Sequence, residues 1–163
     1  MHDENTGNLQ PDRHGPGVSI HPPLIYAGSI LAGLGIDRIR PLPMPLGLHG
    51  LLYSGILLAL VLVLAGLCIY EFYKADTDVR PDRPDSTLIT SGPYCHSRNP
   101  LYIGLTLVQV AVAMWFDNAW VLAMTAVSVV VISRYAIRRE EHYLERRFGA
   151  AYLDYKQRVR RWI

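Results

Sequence analysis

The chain is poor in charge, and what charge it has is unevenly placed. Only 18% of its 163 residues are Asp, Glu, Lys or Arg, against roughly a quarter in an ordinary soluble domain. Four stretches, 14–36, 41–70, 99–116 and 118–133, carry none. A helix with one face in water interleaves charge every few residues, so these stretches exclude an ordinary soluble bundle. Half of the chain is hydrophobic, which excludes a disordered polymer. Cysteine is scarce: Cys68 stands in an apolar run and Cys95 in a polar one. That excludes a disulfide framework, and two thiols alone do not make a zinc site. There is no glycine-rich nucleotide fingerprint, no HExxH and no Cys/His metal spacing, and His21, His49, His96 and His142 are scattered, so no metal is expected. A formal net charge of +2 is too small to call for nucleic acid. Residues 1–19 lack the basic start and continuous apolar stretch of a signal peptide and read as a mobile tail.

What is present fits a membrane. A helix needs about 20 mostly apolar residues to cross the hydrocarbon core. Leu46 to Phe72 is the clearest span, apolar on every face from Ile56 to Leu64. Leu24 to Ile36, opened by Pro22-Pro23, reaches only about 20 Å. To cross, it must extend through Ile39, tilt, or thin the bilayer. Pro100 to Phe116 and Asn118 to Arg134 form a pair joined at Asp117-Asn118, with Trp115 and Trp120 flanking the turn as interfacial Trp does. Gly104, Thr106, Ala111 and Ala113 on one, with Ala123, Ala126 and Ser128 on the other, permit close approach. The expected fold is an all-α integral membrane bundle of about four transmembrane helices (24–39, 46–72, 100–116, 118–134). With a loop over 73–99 and a C-terminal helical cap over 135–163, residues 20–163 form one domain.

Orientation follows from basic residues in short loops. Residues 134–163 hold nine Arg/Lys and four acids, whereas the opposite end offers only Arg38 and Arg40. Both termini are therefore expected in the cytoplasm, at the plasma (bacterial inner) membrane. The segments 73–98 and 134–163, which carry 21 of the 30 charges, then share one face.

The long 73–98 segment is expected to be functional. Leu88-Ile89 ahead of Gly92-Pro93 suggests an ordered, docked end. Asn99 suits an N-cap and Pro100 a first helical residue, and capping alone explains both. Arg134 to Gly149 continues the fourth span, and Gly149 can end it. Glu141 and Glu145 face Arg138 and Arg139 at helical spacing, which reads as surface ion pairing. Glu140 lies nearer the interface. The aromatic, basic segment from Tyr152 to Ile163 reads as an interfacial helix whose Arg and Lys meet anionic headgroups, with Trp162 as anchor.

Together these residues resemble a known family. Thr87-Leu88-Ile89-Thr90-Ser91-Gly92-Pro93-Tyr94, then Arg98-Asn99-Pro100-Leu101-Tyr102-Ile103-Gly104, then Arg139-Glu140-Glu141, Leu144, Phe148-Gly149, Tyr152, Tyr155 and Arg158-Val159 are similar to the isoprenylcysteine carboxyl methyltransferases, of the bacterial type. The wider group includes phospholipid methyltransferases. The resemblance implies transfer of a methyl group from S-adenosylmethionine to a small lipophilic or lipid-borne acceptor through a carboxylate, thiol or amine. It implies cofactor contacts at Ser86, Thr87, Leu88, Ile89, Tyr94, Asn99, Pro100, Leu101, Tyr102 and Glu140. The helix start at Asn99-Pro100 suits the cofactor's carboxylate, and Glu140 suits a cation or the ribose hydroxyls. Arg134 and Glu141 are the candidates for a catalytic role, and membrane lipids are the expected surroundings. Prenylcysteine enzymes carry an Arg four residues before the cofactor-binding Glu. This chain has Ala136 there, which argues against a prenylcysteine carboxylate. Two other readings stay open: a membrane reductase using a nicotinamide dinucleotide, and a non-enzymatic membrane scaffold.

Overall fold

A computed structural model describes residues 20–75 and 87–163. The expected tail at 1–19 and residues 76–86 of the loop, Ser86 among them, lie outside the described residues. Within them the chain is all helical: α1 Pro22–Ile39, α2 Leu48–Lys74, α3 Pro100–Trp115, α4 Ala119–Ile132, α5 Arg138–Phe148 and α6 Ala150–Arg158. A 3-10 turn at Gly92–Cys95 precedes α3, and a π turn at Ser133–Ile137 joins α4 to α5 without a break. Pro22 and Pro100 each sit in the first turn of a helix, where their missing N–H is not needed.

Two described helices are long and apolar enough to cross a membrane: α2, and the continuous rod Ala119–Phe148. α2 separates the membrane reading from that of a soluble core helix. Only 11% of its apolar window is buried inside the protein, and Leu62, Val63 and Leu67 lie more than half exposed. A helix apolar all round and this bare suits lipid and not water. α1 is longer than the apolar run inside it, with 18 residues, or about 27 Å.

The helices alternate in direction. At one end Trp120 Nε1 donates to Arg40 O at 2.7 Å, and the 40–46 linker is stitched to the α3–α4 turn: Ala119 N donates to Leu42 O and Met44 N to Asp117 O, both at 3.0 Å. In that turn Asp117 adopts φ 51° and the Asn118 side chain caps α4 by accepting from Val121 N at 3.0 Å. α3 packs chiefly on α2, and α4 on α1, giving the lateral order α2–α3–α4–α1.

The expected small-residue seam is only partly used. Gly104 faces Val61 and Leu64 of α2, while Ala123 and Ala126 of α4 are exposed. Ala111, Ala113 and Ser128 are buried. What joins α3 to α4 is polar: Ser128 Oγ donates to Gln109 Oε1 at 2.8 Å, and Gln109 Nε2 donates to Val121 O at 3.3 Å. Such bonds satisfy groups that lipid cannot. Tighter crossings lie elsewhere: at Gly33 of α1, where an added Cβ would lie 2.8 Å from Val121 Cα of α4, and at Gly50 of α2, where it would lie 2.7 Å from Met114 O of α3.

Gly33→Ala is therefore expected to lose about 1–3 kcal/mol by overpacking that crossing. Gly28→Ala, with nothing within 4 Å of its added Cβ, should hold or slightly raise stability. Thermal unfolding in detergent compares them; equal melting would contradict the tight α1–α4 contact.

Candidate functional site

The polar ends of the chain meet at the opposite end of the bundle. After Gly149, at φ 52°, α6 folds back on α5. The chain turns extended at Val159, so the last residues form a strap across the start of α3 and not a longer interfacial helix. Arg98 N donates to Arg160 O at 3.0 Å. Ser97 Oγ and Asn99 Nδ2 both donate to Arg161 O, at 3.3 and 2.9 Å. Trp162 packs against the cluster of Tyr26, Tyr102, Ile132, Ala136 and Ile137. Tyr155 hydroxyl donates to Tyr94 O at 2.6 Å, and Leu88 packs on Tyr152, Tyr155 and Val159, the docked end that the sequence suggested. Gly92, at φ 58°, is pressed against Glu71, whose carboxylate accepts from Ser91 Oγ. That bond pins the 3-10 turn to the end of α2.

Between these parts lies an open pocket of about 530 Å³, counting its mouth. Of the residues anticipated as cofactor contacts, Thr87, Leu88, Ile89, Tyr94, Asn99 and Glu140 line it. Pro100 and Leu101 do not. Tyr102 acts through a neighbour, its hydroxyl donating to Glu140 Oε1 at 2.5 Å. Tyr102 is itself braced from α1, since its carbonyl accepts from Thr106 Oγ1 at 2.8 Å and Thr106 shares a hydrogen bond with Tyr26 hydroxyl at 2.9 Å. Arg134 is exposed and does not reach the pocket.

Glu141 differs most from its sequence reading. It is buried and lines the pocket. Its carboxylate takes Arg98 Nη1 at 2.9 Å and both Nε and Nη2 of Arg161, at 2.9 and 2.6 Å. The surface pairing expected of it belongs to Glu145, which meets Lys156 Nζ at 2.5 Å. That hydrogen bond holds the Glu145 carboxyl below the usual carboxylate range.

Asn99 precedes α3 as anticipated, but its side chain makes no cap and is spent on the strap. Sequence reasoning missed Phe72, Arg98, Leu144, Tyr152 and Tyr155 as pocket residues. All but Phe72 had been noted as parts of motifs and given no role. Phe72 meets Tyr94 edge-on, ring centroids 5.9 Å apart. Burial, the largest cause, pushes the Tyr94 and Tyr155 hydroxyls well above the ordinary tyrosine value and raises that of Tyr152. They serve the site as neutral hydrogen-bonding phenols.

Glu141→Leu is expected to cost about 3–5 kcal/mol, because it strands the buried Arg98 guanidinium. Glu145→Gln should cost under about 1 kcal/mol. Its small contribution is present above pH about 4.3 and fades as pH falls through the lowered folded value. Denaturant unfolding in detergent measures both; similar losses would contradict the buried clamp.

The chain matches the model of the phospholipid methyltransferase family over residues 50–151. It is 40% identical over 63 residues to an uncharacterised protein of Haemophilus influenzae, covering 39% of this chain and all of that protein. It is 38% identical over 74 residues to protein-S-isoprenylcysteine O-methyltransferase B of Arabidopsis thaliana, covering 44% of this chain and 36% of that one. It is 31% identical over 107 residues to the protein-S-isoprenylcysteine O-methyltransferase of Rattus norvegicus, covering 61% and 38%. The chain thus matches little more than a third of the length of the plant and rat enzymes. No solved structure matches it.

Proposed function

Because the chain belongs to the phospholipid methyltransferase family, and is by that membership and its likeness to isoprenylcysteine O-methyltransferases a methyltransferase, we propose that it moves a methyl group from S-adenosylmethionine to a lipophilic or lipid-borne acceptor. One observation carries the reading. Residues from four separate stretches (72, 87–99, 140–144 and 152–155) converge on one pocket at the polar end of an apolar bundle.

The donor set suits this cofactor. Leu88, Ile89 and Phe72 offer apolar walls for a purine, and Tyr94 adds an aromatic ring and a hydroxyl. Glu140, held by Tyr102, would take the cofactor's ammonium or its ribose hydroxyls. When bound, the cofactor supplies a methyl group on a positively charged sulfur, ready for in-line attack. The protein's part is to orient that sulfur and keep water from it, the kind of catalysis that positioning provides. No titrating residue is required to move the methyl group.

In this reading all four long helices cross the bilayer. The pocket, both termini and the basic 134–163 segment lie at the cytoplasmic face of a bacterial plasma membrane. Support comes from the charge asymmetry and from the alternating helix directions. The acceptor would arrive from the lipid side with a carboxylate, thiol or amine. A prenylcysteine carboxylate finds no cation at Ala136, which is fully buried.

Calorimetry with S-adenosylhomocysteine on the detergent-solubilised chain tests the proposal. Binding is expected, weakened about 10- to 150-fold in Glu140→Ala by loss of a charge-assisted hydrogen bond worth about 1.5–3 kcal/mol. A folded protein that ignores S-adenosylhomocysteine, or that responds instead to a nicotinamide dinucleotide, would overturn it.

A further inference from the structure

Arg98 holds more positive charge than its own surroundings use. Its side chain is only 9% exposed, yet it lines the pocket. Nη1 is engaged twice, by Glu141 Oε1 at 2.9 Å and by Tyr152 hydroxyl at 3.3 Å. Nε is buried and has no hydrogen-bond partner. A guanidinium is a rigid fork of five N–H donors, and a buried donor left unmade is costly. The charge count agrees. Glu141 is one carboxylate facing two guanidiniums, Arg98 and Arg161, so the triad keeps one positive charge beside the pocket. Arg161 is about a third exposed and can use solvent; Arg98 cannot. The missing partner is an anion that reaches Arg98 through the pocket, and a carboxylate matches the fork.

The helix start, the other possible receptor, offers at most the Leu101 amide. Pro100 has no N–H. Asn99 N donates to Ser97 Oγ at 3.1 Å, Asn99 Nδ2 is taken by Arg161 O, and the Tyr102 and Ile103 amides bond Asn99 O. Pro100 and Leu101 lie outside the pocket lining. The anion-binding role expected of Asn99-Pro100 therefore shifts one residue back, to a side chain.

We propose that Arg98 is the pocket's carboxylate receptor, and that the carboxylate it takes is the one on the methionine end of the methyl donor. This rests on the proposed function. The donor's ammonium and carboxylate are neighbours on one carbon, and the pocket presents both a cation, Arg98, and an anion, Glu140. An amino-acid end satisfies the two together. An acceptor's lone carboxylate would use Arg98 and then face Glu140 with like charge. Glu141 and Tyr152 position the fork, and Arg161 holds Glu141 from the far side.

The test is calorimetry on the full chain in detergent with two probes: S-adenosylhomocysteine, and its decarboxylated analogue in which the amino-acid end is a plain aminopropyl arm. The native protein is expected to prefer S-adenosylhomocysteine by about 10-fold or more, as a charge-assisted bond requires. Arg98→Met should bind both within about threefold while its affinity for the analogue stays near native. If Arg98→Met does not fold, Arg98→Lys decides: a reduced preference supports the assignment and a full preference overturns it. Equal binding of the two probes by the native protein, or an undiminished preference in Arg98→Met, overturns the proposal. So does a long-chain carboxylic acid whose binding depends on Arg98 when that of S-adenosylhomocysteine does not. Failure of both probes to bind the native protein is a separate result, and it removes the proposed function itself.

Discussion

The site depends on an ion triad built around one buried carboxylate. Arg98 stands just before α3, Glu141 is in the first turn of α5, and Arg161 lies in the strap that ends the chain. They share one carboxylate with N–O separations of 2.6 to 2.9 Å. These residues are 20 to 63 positions apart, and no local structure brings them together. A charge taken out of water must be paired or it disfavours the fold. The triad therefore dictates how the last thirty residues settle on the bundle. With Glu141 drawn inward, α6 and the strap close over the start of α3, and the space left beneath them is the pocket. The hydrogen bonds from Ser97 Oγ, Arg98 N and Asn99 Nδ2 to the carbonyls of Arg160 and Arg161 reinforce that closure.

The π turn explains how Glu141 comes to face inward. Advancing about 100° per residue, an uninterrupted α-helix would put Glu141, nine positions after the buried Ile132, about 180° away on the opposite face. The π turn at Ser133–Ile137 takes up about one residue without advancing the face. Glu141 is thereby swung to within roughly 80° of Ile132. It can then reach Arg98 while Glu140 beside it meets Tyr102. One irregularity in a 30-residue rod divides two adjacent carboxylates between two tasks, one pairing arginines and the other facing the pocket.

This also explains what the sequence could and could not convey. Charge segregation alone marked the bundle, because lipid excludes charge over whole helices. The tight turn at Asp117-Asn118 and the break at Gly149 were legible from local chemistry. Thr87 to Ile89, Tyr94, Asn99 and Glu140 were legible through the family resemblance of their motifs, and they converge on the pocket. The partners of Glu141 were not legible: Arg138 stands at ideal helical spacing, whereas the partners it takes lie far off in the chain. Nothing local announces the π turn either, so periodicity carried past Ile132 assigns the wrong face. Trp162 read as a membrane anchor because nothing in sequence foretells the extended strap at Val159. Phe72 looked like one more apolar residue at the end of a span until Tyr94 was seen against it.

The distribution of cations limits what the acceptor can be. Ala136 is sealed among Tyr26, Tyr102, Ile132 and Ile137, and Arg134 is exposed and outside the pocket lining. Among the described residues, Arg98 is the one basic residue in the pocket lining. One guanidinium already committed to Glu141 cannot neutralise two carboxylates. If the methyl donor takes it, the acceptor enters with no cation of its own among the described lining residues. A permanently anionic acceptor would then pay desolvation without compensation. An acceptor that is neutral when it attacks, or whose charge is cancelled as the methyl leaves the cationic sulfur, would not. A neutral amine on an apolar carrier meets the first condition, a thiolate or carboxylate only the second, and the apolar bundle around the pocket is a suitable bed for the carrier.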